Sequence, residues 1–283
     1  MSSSIIITGT NVVNQNNNEF VFNFPSTISL TNCEIAVQSI QLFYSWFNIS
    51  QTAYNNTTFQ YQWYNNTTET YDSFNVVLPD GLWSIADINA YLQYTMINNG
   101  QYAVDSATNQ NIYYITLELN AVLYAVQLNT FPVPTTAPAG VEFQFTAPTT
   151  TFNPIVIFPA NFNKIVGFAP NFTSTESTAG TNLSFTSSVA PQVQPSPTLL
   201  LSCNAVFNKF STPPNILASI TPNVDVGASY YIQFYPQYTT LVGGQYSSLR
   251  LAWMNTSFQA IPLQDPTCCI VLLIREKQNL IQK

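Results

Sequence analysis

The sequence contains no histidine. That absence removes Ser-His-Asp and Cys-His catalytic arrangements, together with every metal site built on imidazole. Charge is scarce as well. Asp, Glu, Lys and Arg make up 7% of the chain, against about 25% in ordinary soluble domains. The six basic residues are Lys164, Lys209, Arg250, Arg275, Lys277 and Lys283, and with 13 acidic residues the net charge is −7. No basic patch is available to neutralise phosphates or an anionic bilayer, so direct binding to nucleic acid or to a membrane surface is not expected. Long apolar runs are missing too. The longest, Cys268 to Ile274, is strand-sized, far short of the roughly 20 residues a membrane-spanning helix needs. The opening MSSSIIITGTNVV lacks a basic segment followed by a long apolar core, so no secretory signal is expected. The four cysteines, Cys33, Cys203, Cys268 and Cys269, follow no metal or redox spacing. They are expected to be free thiols, buried where they sit in apolar runs such as LLLSCNAV.

What is present is apolar and aromatic. Hydrophobic residues make up 46% of the 283 and aromatics 14%, enough for one large β domain or two smaller ones with a substantial core. Polarity comes from Asn, Gln, Ser and Thr. Such a surface can be buried against another protein at modest desolvation cost, and it offers little charge repulsion against self-association. Extended protein–protein contact is therefore expected; the plainer reading is an extracellular β protein with an uncharged polar surface. In a chain so rich in Asn and Thr, the sequons Asn48-Ile49-Ser50 and Asn65-Asn66-Thr67 read as coincidence.

Most of the chain reads as short strands. Residues 2–18 are polar apart from Ile5-Ile6-Ile7 and read as an arm with one short strand. EFVFNF (19–24) alternates and is expected to stop at Pro25. Residues 33–49 form the longest strand candidate, with Ile35 and Val37 on one face; TFQYQWY (58–64) and 71–78 follow. Residues 112–119 and 122–128 read as a tight hairpin about Asn120-Ala121. From about Thr130 to Pro197, Pro, Thr, Ser and Ala dominate, with short strand candidates at 141–145, 155–158 and 164–168. The last third is strand after strand: 199–207, 216–220, 230–235, 249–254 and 269–274. Many strands with long, uneven connections point to a Greek-key sandwich.

One stretch breaks the β pattern. In LPDGLWSIADINAYLQYTMINNG (78–100), Pro79-Asp80-Gly81 is a turn in which Asp80 is expected to fold onto its own backbone and Gly81 to supply a positive φ. Ser84 is placed to cap a helix, with Asp87 completing a capping box. Ile85, Ile88, Leu92 and Met96 fall on one helical face, and Asn98-Asn99-Gly100 supplies the stop. Asp80 and Asp87 are the only suggestive acid pair in the chain, and their turn and cap roles account for both. No Asp-rich ligand run suits Ca²⁺, and Gly243-Gly244 is a turn with no following lysine or helix. No enzyme activity and no cofactor or metal are expected.

Read in series, several segments resemble the penton proteins of the Polinton, adintovirus and virophage lineage of double-stranded DNA viruses. They are FPSTISLTNCEIAVQSIQLFYSWFNIS, FNVVLPDGLWSIADINAYLQYTMINNG, NIYYITLELNAVLYAVQLNTFPVP, NKIVGF, PSPTLLLSCNAVFNKFSTPPNILASI and SLRLAWMNTSFQAIPLQDPTCCIVLLI, in that order along most of the chain. The resemblance implies a mainly β fold: a single jelly-roll sandwich with one prominent amphipathic helix and an inserted or loop-rich β region. It implies a virion protein that forms a homopentamer plugging the five-fold vertices of an icosahedral capsid. Its neighbours would be trimers of a double jelly-roll major capsid protein, with fibre or minor capsid proteins as further partners. On this reading residues 1–18 are an N-terminal arm, 19–78 and 199–283 the sandwich, and 79–198 a helix–hairpin block with a loop-rich insertion. The alternatives are a fibre- or spike-like β protein that binds a receptor or glycan, and a secreted β-sandwich hydrolase or carbohydrate-binding module.

Overall fold

A computed structural model describes residues 2–15, 17–177, 180–193, 197–225 and 227–277; Lys283 lies outside them. The chain begins with β1 (Ser2–Thr8), β2 (Glu19–Ser29) and β3 (Cys33–Phe43). A second group follows: β4 (Thr58–Asn65), β5 (Thr70–Val77), helix α1 (Ile85–Asn98), β6 (Ala103–Asp105), β7 (Gln110–Ile112), β8 (Ile115–Asn120) and β9 (Ala125–Thr130). It continues through β10 (Val141–Phe143), β11 (Ile155–Phe158), helix α2 (Asn163–Val166), β12 (Phe172–Thr173) and β13 (Leu183–Thr186). The last strands are β14 (Leu199–Cys203), β15 (Ile216–Ile220), β16 (Ser229–Gln233), β17 (Thr239–Thr240), β18 (Gln245–Met254) and β19 (Cys268–Glu276).

Two units result, Met1–Trp46 with Ser196–Lys283, and Phe47–Pro195. In the first, one sheet runs β1-β19-β3-β16, with β17 also on β3, and the other runs β15-β14-β18-β2. Between β1 and β19 the chain alternates between the two sheets at every step except β14 to β15, which are adjacent in one sheet, and the short β17, which stays on β3. That order is a jelly roll of two interleaved four-strand layers. Phe47–Pro195 is inserted between its third and fourth strands.

Alternation explains the core of this unit. Leu249, Leu251 and Trp253 of β18 are buried, as are Cys268, Ile270 and Leu272 of β19, and they join Ile5, Ile7, Ile35, Val37, Ile40 and Leu42 in one apolar cluster. On β3 the buried set changes parity between Val37 and Ile40. The cause is a bulge, because Val271 pairs with Ser39 while Leu272 pairs with Val37, leaving Gln38 as the extra residue. Opposite Glu34, Arg275 makes a 2.8 Å ion pair and stacks over the Tyr238 ring at 3.5 Å.

Several local expectations change. Residues 2–8 are the outer strand of a sheet, paired from Ser2↔Arg275 to Thr8↔Cys269, and so belong to the sandwich. Residues 47–78 fall with the inserted unit, which moves the boundary from 78 to 46. Pro25 does not end β2: this is an edge strand, and the ladder to β18 skips from Asn23↔Ser248 to Ile28↔Tyr246. Pro25 lies in the skipped stretch, where its missing N–H costs no ladder bond. Residues 164–168 begin as helix α2 rather than as a strand. Its N–H-to-carbonyl return from Gly167 to Asn163, at 2.8 Å, needs a left-handed residue (φ 75°), and a Cβ at 167 would lie 2.2 Å from the Val189 carbonyl oxygen.

The inserted unit holds sheets β12-β11-β4-β5, β13-β9-β8 and β10-β6-β7 around a second core rich in rings, among them Phe59, Tyr61, Trp63, Phe152, Phe158 and Phe162. Helix α1 lies against β8 and β5. The β8–β9 hairpin closes at Asn120↔Ala125 through a four-residue loop, 121–124, in place of a two-residue turn. Tyr124 takes the positive φ that the loop requires (49°), and Val122, Leu123 and Tyr124 are left exposed at its tip.

Candidate functional site

The residues singled out in 78–100 gather at the entrance to α1. Ser84 has extended backbone and caps the helix: its Oγ accepts from the Asp87 N–H, while Asp87 Oδ2 accepts from the Ser84 N–H at 3.1 Å and from its hydroxyl at 2.6 Å. Ile85, Ile88, Leu92 and Met96 are all buried beneath the helix. The cap orients the first turn, and the apolar face fixes it to the sheet.

Asp80 does not fold back on its own turn. Its Oδ2 accepts from the Ser50 hydroxyl and its Oδ1 from the Gln51 N–H, each at 2.8 Å, so it fastens the 48–57 loop to the helix entrance. Gly81 does not use a positive φ either. It pairs with Ile49 by backbone bridging, and a Cβ there would lie 2.9 Å from the Trp83 indole nitrogen, which donates to the Pro79 carbonyl. Close approach, and not handedness, selects glycine at 81.

Several polar residues that the sequence did not single out hold this corner together. Asn48 is fully buried; its Nδ2 donates to the carbonyls of Trp83 and Val193, and its Oδ1 accepts from the Trp83 N–H. Both amide hydrogens are engaged, so the Asn48 sequon cannot carry a glycan in this fold. Asn56 donates to the Asn48 carbonyl and accepts from the Ser50 N–H. Farther along α1, Asn89 Oδ1 accepts from the Leu117 N–H of β8 at 2.8 Å. The only sequence signal for these roles was an Asn inside or beside an apolar run, such as WFNIS and IADINAY.

None of this geometry moves protons or electrons. Asp80 and Asp87 spend their oxygens on N–H and hydroxyl donors of the scaffold. Among the described residues no cluster of three or more His, Cys, Asp or Glu could hold a metal ion, and no helix is long and apolar enough to cross a membrane. The cysteines are free, with Cys33, Cys203 and Cys268 buried. Burial pushes the Cys268 thiol up to about 12, with Cys269 and Asp265 adding to the effect, so it is inert at neutral pH. Exposed rings stand on both units: Tyr94 and Tyr124 on the inserted one, and on the jelly-roll one Phe207 and Phe210 in the loop after β14, with Tyr231 and Tyr235 on and just beyond the edge strand β16.

No family model matches the sequence, and no curated protein matches it. Among solved structures, the chain is similar to the crystal structure of the mavirus penton protein, with a TM-score of 0.47 and 10% identity over 97% of this chain and 98% of that one. It is also similar to a chain of the Sputnik virophage structure determined by cryo-EM, with a TM-score of 0.39 and 10% identity over 98% of each chain.

Proposed function

We propose that this chain is a virion structural protein whose copies close into a homopentamer at the five-fold vertices of an icosahedral capsid. The observation that carries the reading is the strand order of the Met1–Trp46 and Ser196–Lys283 unit, a complete jelly roll of the kind that capsid proteins share with lectins and cupins. The ordered series of penton-like segments selects the capsid use among these. A closed ring brings two different faces of each subunit together. On a chain with 7% charged residues, exposed rings are the groups that gain most from that burial. Phe210 is 88% exposed and Tyr235 85%, and both are assigned to subunit contacts. The neighbours on this reading are a double jelly-roll major capsid protein and fibre or minor capsid proteins. The reading assigns no catalytic step.

Light scattering on the purified full chain, with negative-stain micrographs of the same sample, tests it. The expected particle contains five 31.5 kDa chains and shows five-fold rings, and a Phe210→Asp/Tyr235→Asp double variant shifts it toward monomer. A strict monomer at high protein concentration, or a trimer, overturns the proposal.

A further inference from the structure

The inserted unit carries an open cleft of about 670 Å³, between the end of β4, the β5 strand, the end of α1 and the segment at β10. That volume lies within the range of small-molecule sites, about 300–1,000 Å³. Its wall is aromatic and amide in character: Tyr64, Phe74, Phe143 and Phe145 alternate with Asn99, Gln101 and Gln144. Phe143 stacks on Phe145 at 4.5 Å between ring centroids, and Phe145 is braced edge-on by Trp63 at 5.2 Å. The ring platform is therefore in place without a ligand.

Gln101 supplies the second observation. Its side chain lines the cleft although the residue is only 5% exposed. Asn99 Nδ2 donates to the Tyr61 hydroxyl at 2.9 Å, which turns the Tyr61 proton toward Gln101 Oε1. Burial holds that phenol neutral, with its pKa pushed up to about 12, so the proton stays in place. This relay fixes which end of the Gln101 amide is which, and it leaves Nε2 as a donor with no hydrogen-bond partner among the described residues. An oriented and unused N–H₂ group of a residue only 5% exposed, opening onto the wall of a cleft, is placed to meet an acceptor.

Electrostatics selects the acceptor. No lysine or arginine lines the cleft, Asp72 does, and α1 ends there at Asn98, presenting the negative end of its dipole. Anionic ligands are disfavoured on all three counts. Half-buried ring faces beside amide donors and acceptors suit a ligand with apolar C–H faces and hydroxyl edges. We propose that this cleft is a binding site for neutral oligosaccharides, with Phe143 as the stacking platform and Gln101 and Gln144 as the hydrogen-bonding groups. The site lies within the inserted unit and does not depend on the pentamer reading, so either can fail without the other.

Isothermal titration of the full chain with chitotriose, mannotriose, maltotriose and lactose tests the proposal, with 3′-sialyllactose as the charged control. At least one neutral sugar is expected to bind, more tightly than sialyllactose where lactose is the ligand. Phe143→Ala and the exposed Gln144→Ala are each expected to weaken that binding about tenfold, the equivalent of one lost contact of about 1.4 kcal/mol, with the thermal midpoint unchanged in Gln144→Ala and lowered in Phe143→Ala, whose ring packs on Phe145. Absence of binding by all four sugars at about 10 mM, preference for sialyllactose, or binding indifferent to both variants overturns it.

Discussion

Asn89 offers the sharpest test of how the helix is held. β8 is the outer strand of the β13-β9-β8 sheet, so alternate N–H groups on its free side have no strand to bond. The Leu117 N–H is one of these, and it is caught by Asn89 Oδ1 at 2.8 Å, at a residue only 2% exposed. Asn89→Ala removes the acceptor and leaves a buried donor unsatisfied, which costs about 1–3 kcal/mol. Alanine is the better helix former by about 0.5 kcal/mol, so the net loss is about 1–2 kcal/mol. Because the chain has two units and need not unfold in one step, a global denaturation curve is the wrong assay. Hydrogen exchange at the Leu117 amide reads the bond itself, and its protection is expected to fall about 5–30-fold. Asn89→Asp keeps an acceptor at the same place and is expected to keep most of the protection. Unchanged exchange in Asn89→Ala, or equal losses in Ala and Asp, would refute the idea that this amide stands in for a missing strand.

Other perturbations separate the parts of the same region. Ile88 is fully buried, so Ile88→Asp places an unpaired carboxyl in the core and is expected to abolish soluble expression or native circular dichroism. Asp87→Ala loses only the exposed capping box and is expected to cost about 1 kcal/mol in thermal unfolding. Burial raises the Tyr61 and Tyr114 phenols from the usual 10 to about 12. The fold favours their neutral forms, so their contribution is complete below pH 10 and disappears as pH rises toward 12. Tyr71 is raised to about 12 in the same way, so phenolate absorbance should show at least these three late-titrating tyrosines, with unfolding in that same window.

How much of this was legible in the sequence depends on whether a role is local. The capping box of Ser84 and Asp87 and the buried stripe Ile85, Ile88, Leu92 and Met96 follow from spacing along one helix, and the structure places them in those positions. Asp80 and Gly81 were legible as a turn, but not in what they do, because their partners are Ser50, Gln51 and Ile49, some 30 residues away. The strand order was hidden for the same reason. Alternation reports that a strand has a buried face; it does not report that Ser2 will pair with Arg275. Pro25 shows the limit of punctuation rules, since a proline halts a strand only where its N–H would have met a partner.

The amides carry the last step. Composition alone allotted the Asn-rich polarity to a surface made for contact with other subunits. In the structure Asn18, Asn48, Asn56, Asn153, Asn163 and Asn255 are buried; Asn48 and Asn56 bond backbone groups outside the strand ladders, and Asn153 donates to the carbonyls of Thr130, at the end of β9, and of Thr181 in the loop before β13. An amide carries a donor and an acceptor without charge, so it can satisfy an irregular backbone inside a core at a desolvation cost that a lysine or glutamate could not meet. A loop-rich insertion with few charges needs many such residues for its own folding. Part of the Asn content therefore serves the interior, and at the contact surface rings such as Phe210 and Tyr235 offer more apolar area to bury than an amide does. Substituting exposed asparagines should accordingly disturb assembly less than substituting those two aromatics.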